Sequence, residues 1–346
     1  MPIKKTVTQV TIARELGVSV QTVSKALKGK PGMAESTRKL ILATAEKLGY
    51  FSMEQIRSLK AELIPPYPHE RKRFLLVQTE ESVSYNKLML EGLHERFASF
   101  GHRIELCRLP KDVGLPAIPR WVESSGMAYA DGLFLAPSIV PRAWEAPILQ
   151  LDTPKILLNF PPAGSRVDSV IWDIYEATYQ AVAYLYGIGH RRILYTGDTY
   201  GQRGFILRWQ AFQQAMREFG IAVDTQGHSI SRRETGGLWL DELNGLIRAN
   251  RPTAILCGIS NEVEPVFRLL GSLGLRVPKD VSFVGMPNEQ PGGLPLLTRP
   301  LLSIRETGYR AADRMLWRLA NPTLPFEHTR IQGDFYIGET TRGLVH

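Results

Sequence analysis

Only two cysteines, Cys107 and Cys257, occur in 346 residues, too few for the disulfide framework that staples small secreted folds. Both stand in strand-like apolar runs, where a free thiol behaves as a small core residue; this usage fits a reducing cytoplasm without establishing it. No apolar run reaches the ~20 residues that a membrane-spanning helix needs, and the basic N-terminus lacks the following apolar core of a secretory signal. A cytoplasmic chain with no membrane partner is expected. Catalytic signatures are missing as well: there is no G-x-S-x-G, H-E-x-x-H, Walker loop or G-x-G-x-x-G, and Gly197, Gly201 and Gly204 have the wrong spacing for a dinucleotide turn. The seven histidines are scattered without metal-ligand spacing. Only Gly189-His190-Arg191-Arg192 looks organised, and it reads as a helix-to-strand turn closed by His190. No enzyme, metal or cofactor is therefore expected.

What the chain does have is a lopsided charge. Residues 1–60 carry 11 Lys and Arg against four Asp and Glu, whereas the other 286 carry 31 against 30. The net +8 thus lies almost wholly at the N-terminus, where phosphate neutralisation would make it useful to a polyanion. A solvated basic tail is the plain alternative for a charge run, but the residue pattern opposes it. After a Thr8 cap, Val10, Ala13 and Leu16 share one helical face, and Gly17 suits the left-handed residue that ends a helix. A second helix begins at the N-cap Ser19; its Val23 and Leu27 point one way while Gln21, Lys25 and Lys28 point the other. Ile41, Ala45 and Leu48, closed by Gly49, give a third helix that covers the first two. Helical hairpins also occur as plain packing units, yet two short helices at a Gly-containing turn, the second presenting long donors, have the geometry of major-groove reading. Gln can bond adenine bidentately and Lys can donate to guanine.

The run Thr11-Ile-Ala-Arg-Glu-Leu-Gly-Val-Ser-Val-Gln-Thr-Val-Ser-Lys-Ala-Leu-Lys-Gly29, continuing through Thr37-Arg38 to Leu48-Gly49-Tyr50, resembles the DNA-binding headpiece of the lactose-repressor (LacI/GalR) family. The resemblance implies that Val20, Gln21 and Lys25 read base edges, that Thr22 and Ser24 meet phosphates, and that Thr8, Ser19 and Lys28 complete the surface toward a double-stranded operator. Ala34 stands where the family usually has a capping Ser; Ala is the poorer cap by about 1 kcal/mol, so the third helix is expected to start elsewhere or fray. Residues 52–60 have helical composition but are too short to be stable alone. In the resembled family this is a hinge helix that orders on the operator and wedges a Leu into the minor groove, and Arg57-Ser58-Leu59 matches that position. Ser52, Glu54 and Ile56 depart from the usual hinge residues, and a frayed linker is the competing reading. The Pro-rich stretch that follows, to Arg73, reads as an extended connector.

From Phe74 onward apolar strands alternate with amphipathic helices, the mark of parallel α/β architecture. Strands are expected at 74–78, 103–107, 132–136, 155–159, 193–196, 254–257 and 282–285. Helices are expected at 87–100, 174–186, 206–219, 238–249, 262–273 and 305–319. The Pro161-Pro162-Ala163-Gly164 stretch marks a boundary between two sheets whose cleft is the default ligand site. This half also resembles the family, whose core is like the periplasmic sugar-binding proteins, through Gly189-His-Arg-Arg-Ile193, Arg208-Trp-Gln-Ala-Phe212, Arg251-Pro-Thr-Ala-Ile-Leu-Cys257, Leu273 to Gly285 and Gly338-Glu-Thr-Thr341. The resemblance implies three crossings between subdomains. The expected organisation is a headpiece over 1–50, hinge and linker over 51–73, a first core subdomain over 74–160 and 295–322, and a second over 161–294 and 323–346. Because the chain stops soon after Gly338, without the tetramer-forming segment of some relatives, a homodimer is expected, which suits a two-fold operator.

Arg208 aligns with the family's effector-binding Arg, whose planar fork grips a carboxylate or sugar hydroxyls; an ordinary helix-surface Arg is the alternative. Tyr85, with Asn86 beside it, and Trp172 are expected to line the cleft, together with Gln202, Ser231, Ser260 and Asn288. Ser260-Asn261 and Pro287-Asn288 replace Asp-containing pairs typical of sugar-responsive members. With fewer carboxylates, and Arg232 and Arg233 at the rim, the small-molecule effector is expected to be an acidic sugar, a sugar phosphate or another anion. A ligand-responsive repressor is the reading these residues support; the competing one is an α/β binding protein or enzyme with a fused DNA-binding module, which turnover of a cleft ligand would favour.

Overall fold

The computed structural model describes residues 7–27, 32–50, 71–79, 83–110, 115–137, 144–200, 202–230 and 238–344. Lys28, the hinge residues Arg57 and Leu59, Ser231 and the Arg232-Arg233 pair lie outside them.

Three helices build the headpiece: α1 (Gln9–Leu16), α2 (Val20–Leu27) and α3 (Glu35–Leu48). The Thr8 N–H donates to Thr11 Oγ1 at 3.2 Å, and Ser19 Oγ accepts the Thr22 N–H at 3.0 Å, satisfying an otherwise orphaned donor of the first turn of α2. Gly17 and Gly49 end α1 and α3 at φ 65° and 75°. Ile12, Ala13, Val23, Ala26, Leu27, Ile41 and Ala45 form the buried centre. Val10, expected to face inward, is 51% exposed. Residues two apart on a helix are about 200° apart, so burying the larger Ile12 turns Val10 to solvent. α3 starts directly after Ala34, which makes no side-chain cap. Arg38, buried beneath it, donates to Ala26 O at 3.2 Å and ties α3 to the last turn of α2.

The core begins with β1 (Arg73–Gln78), α4 (Val83–Ala98), β2 (Arg103–Arg108), α5 (Ile118–Ser124), β3 (Gly132–Leu135), α6 (Glu145–Leu149), β4 (Lys155–Leu157) and β5 (Asp168–Trp172). It continues as α7 (Ile174–Gly187), β6 (Ile193–Thr196), α8 (Arg203–Glu218), α9 (Leu238–Asn250), β7 (Ala254–Cys257), α10 (Val263–Ser272) and β8 (Ser282–Gly285). It closes with β9 (Arg299–Pro300), α11 (Ile304–Ala320), β10 (His328–Ile331) and β11 (Phe335–Tyr336). Two parallel sheets result, of order β10-β5-β4-β3-β1-β2 and β6-β7-β8, with β9 and β11 pairing antiparallel beside them.

This topology moves the expected subdomain boundary. Residues from Pro161 onward were expected in the second subdomain, yet β5 pairs with β4 (Ile156 to Asp168, Leu157 to Ser169) and β10 with β5, so both belong to the first sheet. The chain therefore crosses after Trp172, again between β9 and α11, and a third time between β10 and β11. Burial explains the placement of β5: all five of its residues are buried, so it needs strands on both sides. Its first residue, the wholly buried Asp168, accepts from Arg314 at 2.6 and 2.9 Å and from Arg318 at 2.5 and 3.2 Å. Arg318 also donates to the carbonyls of Asn321, Pro322, Leu324 and Pro325 at 2.7–3.3 Å, so α11 clamps the segment leading into the third crossing. In the second subdomain His190 closes its turn as expected, with Nδ1 3.0 Å from Thr253 Oγ1 and Nε2 3.0 Å from Ser282 Oγ. Among the described residues no His, Cys, Asp and Glu group has metal-binding geometry, and no helix is long and apolar enough to cross a membrane.

Candidate nucleic-acid interface and effector cleft

The headpiece presents the start of α2. Ser19, Val20 and Gln21 are exposed there, while Thr22, Ser24 and Lys25 are half-buried along the same helix and Thr8 is exposed at the start of α1. An apolar residue beside an unencumbered amide is a unit for reading a thymine methyl and an adenine edge. The hydroxyls of Ser19 and Thr22, 2.8 Å apart at a helix N-terminus, are placed for a phosphate. Lys25 differs from expectation in one respect: its Nζ donates to Gly32 O at 2.9 Å, so the amine must leave that carbonyl to reach a base.

The second constellation lies at the carboxyl ends of the two sheets, where parallel α/β folds bind ligands. Trp172 ends β5; its ring centroid is 4.9 Å from that of Tyr85, inclined at 61°. Burial pushes the Tyr85 hydroxyl well above its usual range, against the lowering influence of the nearby Arg208, so it stays neutral. Arg208, on α8 of the second subdomain, is 8% exposed. Burial lowers its pKa, opposed by Tyr195, Tyr85 and Cys257, but a guanidinium remains charged in a protein. Its carbon sits 5.2 Å from the Phe205 ring centroid, and no carboxylate approaches it among the described residues.

The polar atoms around it are unsatisfied. Arg208 Nε, Tyr85 Oη, Trp172 Nε1, both amide atoms of Asn86 and Gln78 Oε1 are buried without a hydrogen-bond partner. Buried polar groups are overwhelmingly paired, because each orphan costs about 1–3 kcal/mol; Tyr85 links three of these residues, its ring against Trp172 and its hydroxyl under the influence of Arg208. Tyr195, beneath Arg208, is wholly buried and lies under Gly197 and Gly258, where a Cβ would come within 2.6 and 2.4 Å of its hydroxyl oxygen. Those glycines let the backbone at the ends of β6 and β7 close over the ring.

Of the expected cleft residues, Tyr85, Asn86, Trp172 and Arg208 are buried polar groups of this kind. Ser260 and Asn288 meet each other: Ser260 Oγ accepts the Asn288 N–H at 3.0 Å, joining the loops after β7 and β8. Gln202 is the extended N-cap of α8 and makes no side-chain cap. Sequence reasoning missed Gln78, whose strand-end position carries no motif. It also missed Arg203, which spans the subdomains: it donates to Glu145 on α6 at 2.6 and 2.8 Å and to Phe160 O at 2.5 Å.

Comparison with known proteins covers both the headpiece and the core. Residues 11–52 match the model of bacterial regulatory proteins of the lacI family, and residues 182–341 match the periplasmic binding protein-like domain. The HTH-type transcriptional repressor PurR of Vibrio vulnificus (strain CMCP6) is 25% identical over 281 residues, 80% of each chain. PurR of Yersinia pestis bv. Antiqua (strain Antiqua) is 26% identical over 281 residues, 80% of this chain and 79% of the relative. Among solved structures, the lac repressor dimer bound to operator and the anti-inducer ONPF superposes with a TM-score of 0.67 at 18% identity, over 98% of this chain and 100% of that one. The transcriptional regulator CelR in complex with cellobiose gives 0.68 at 19% identity, over 96% and 99%. With a helix-turn-helix headpiece of the family's own kind joined to its two-sheet core, the chain belongs to the LacI/GalR family of bacterial transcriptional regulators.

Proposed function

We propose that this regulator represses transcription as a homodimer, α2 of each protomer reading half of a palindromic operator, and that an anionic small molecule in the cleft sets its operator affinity. The observation that carries the effector class is Arg208, a buried guanidinium with an unpartnered Nε and no carboxylate beside it among the described residues. A charge so desolvated is stabilised by an ionised acceptor from the ligand, and Arg holds a carboxylate or phosphate through two parallel hydrogen bonds. Ser260 and Asn288, in place of acidic residues, leave that charge uncontested. Regulation follows if the ligand binds the open and closed arrangements of the two subdomains unequally, since equal binding shifts nothing.

The test begins with a duplex selected from random sequence and titrated with the full-length protein. Dimer binding that weakens steeply with salt, and that is lost when residues 1–60 are removed, is expected from phosphate neutralisation. Gln21→Ala should change base preference at one position of each half-site, whereas Thr22→Ala should weaken all sequences alike. For the effector, a thermal-shift comparison of neutral sugars with their acids and phosphates should favour the anions, and Arg208→Ala should abolish the shift. A neutral sugar that binds more tightly than its own acid would overturn the anionic assignment.

A further inference from the structure

We propose that a second small-molecule site, for an aromatic carboxylate, lies on the side of α8 turned away from the effector cleft, and that its occupant bridges the two subdomains. A cavity of about 480 Å³ opens there, an ordinary size for a small-molecule pocket. From the second subdomain Arg203, Ile206, Leu207 and Gln210 of α8 line it; at 100° per residue these positions are turned roughly 100–160° around the helix from Arg208. From the first subdomain Ser169 and Ile171 of β5 form the floor, both almost wholly buried. They alternate with Trp172, which faces the other way against Tyr85. His328 and Arg330, on the edge strand β10, pair directly with Ser169 and Ile171 and so share their face. The cavity and the effector cleft thus lie on opposite faces of both elements.

The remaining wall is a preformed turn that carries Phe160, Pro161 and Pro162: the Ser165 N–H and hydroxyl both donate to Pro162 O, at 3.1 and 2.7 Å. With Ile171, Ile206 and Leu207 these residues make the interior apolar, and no carboxylate lines it among the described residues. Its arginines are not equivalent. Arg203 is saturated by Glu145 and Phe160 O. Arg330 makes no hydrogen bond among the described residues; Oδ2 of Asp173 is 4.0 Å from its Nη1, too far for one, and its guanidinium carbon stands 5.5 Å from the Phe160 ring centroid. An open fork beside an aromatic ring, at the mouth of an apolar slot, suits a flat ring that carries an acid. The ring covers the walls, and the carboxylate takes two parallel hydrogen bonds from Arg330. A neutral arene leaves the fork to water, and a small acid gains nothing from the walls. Because an occupant touches α8 and both strands beside the Arg203 bridge, it favours the arrangement in which the subdomains meet, and it changes operator affinity through that closure.

The experiment is calorimetry on the full chain with naphthoate, its neutral amide naphthamide, and acetate. Naphthoate should bind, with the amide and acetate each weaker by about tenfold or more, the worth of a charge-assisted contact. Arg330→Gln should bring naphthoate down to the level of its amide. Gln210→Trp, at an exposed position of α8, fills the cavity and should abolish binding while the melting temperature of the ligand-free protein stays unchanged. Arg208→Ala should bind naphthoate as the wild type does. Saturating naphthoate should shift affinity for the selected duplex by about fivefold, and Gln210→Trp should remove that shift. Naphthoate held no more tightly than its amide or acetate, or binding that survives Gln210→Trp, overturns the second site. Loss of binding in Arg208→Ala also overturns it and places the acid in the effector cleft instead. Binding that leaves operator affinity unchanged overturns the bridging role.

Discussion

Arg318 and Arg208 are both buried arginines on core helices, 5% and 8% exposed, and they could hardly be housed more differently. Arg318 faces a carboxylate and four carbonyls, so its donors are spent within the chain. Arg208 faces two phenol rings, a thiol and Phe205, with no carboxylate among the described residues. Burial alone therefore does not separate a structural cation from a binding one; the list of acceptors does. Where the fold needs a cation it supplies the anion too, as Asp168 does for the third crossing. Where it withholds the anion, as at Arg208, the proposed function assigns the cation to an anion that arrives from outside, and the protein would bear the desolvation cost until then.

The strongest way to break this contrast is to remove each guanidinium at similar volume. Arg318→Met leaves Asp168 with Arg314 and the Glu327 N–H and takes a donor from four carbonyls, and loss of one partner of a buried pair costs about 3–5 kcal/mol. Arg208→Met should leave the stability of the ligand-free protein unchanged or slightly raised, because no acceptor is stranded. Urea denaturation of the two variants beside the wild type measures both. Equal destabilisation would mean that Arg208 has a structural partner and that the contrast is false.

A smaller effect sharpens the comparison from beneath Arg208. His228 packs with ring centroids 5.3 Å from Trp209 and 5.0 Å from Phe212 of α8, and its Nδ1 accepts the Tyr195 N–H at 3.1 Å. Burial lowers its pKa from 6.5 to about 4, with Asp224 opposing. A histidine depressed on folding is protonated first in the unfolded chain, so its contribution is complete above pH 6.5 and is lost as pH falls from there to about 4. At about 1.4 kcal/mol per pKa unit this amounts to roughly 3–4 kcal/mol. His228→Asn, which keeps an acceptor for the Tyr195 N–H, should flatten this part of the stability profile between pH 7 and 4. A slope unchanged by the substitution would assign the acid sensitivity to another group.

The sequence exposed the periodic elements and hid the long-range ones. α2, α7, β6, β7 and β8 carry local periodicity or apolar runs with clear stops, and they stand within a residue of expectation. β5 was missed because Asp168-Ser-Val-Ile-Trp172 has little meaning until β4 and β10 flank it, and the preceding prolines looked like a domain boundary. α5 and α6 are too short for periodicity, and tertiary packing stabilises them. In α1 the expected face of Val10, Ala13 and Leu16 was off at Val10, because the larger Ile12 takes the buried position. Of the cleft, the resemblance supplied Arg208 and Tyr85, while Trp172 followed from its place just before Asp173. Gln78 was invisible because an amide at a strand end is unremarkable until its buried oxygen is found without a donor. Arg203 and Glu145, 58 residues apart, carry no joint signal at all.

That last pair offers the smallest and most local prediction. Arg203 stands five residues before Arg208 on α8, and unlike it is saturated, with a bidentate ion pair to Glu145 and a bond to Phe160 O. Since α6 and the Phe160 loop belong to the first subdomain, this arginine holds the cleft's two walls together without ligand, while Arg208, on the same helix, is the proposed ligand anchor. The side chains are 23% and 13% exposed, so the pair is shielded more than a surface bridge and should contribute about 1 kcal/mol to closure. Arg203→Ala and Glu145→Ala should each weaken binding of the tightest acid about fivefold, as a closure cost of that size requires. The double variant should be no worse than either single one, because both remove the same contact. Fully additive losses in that cycle would show that the two residues act separately, and α8 would then be joined to the first subdomain through the ligand alone.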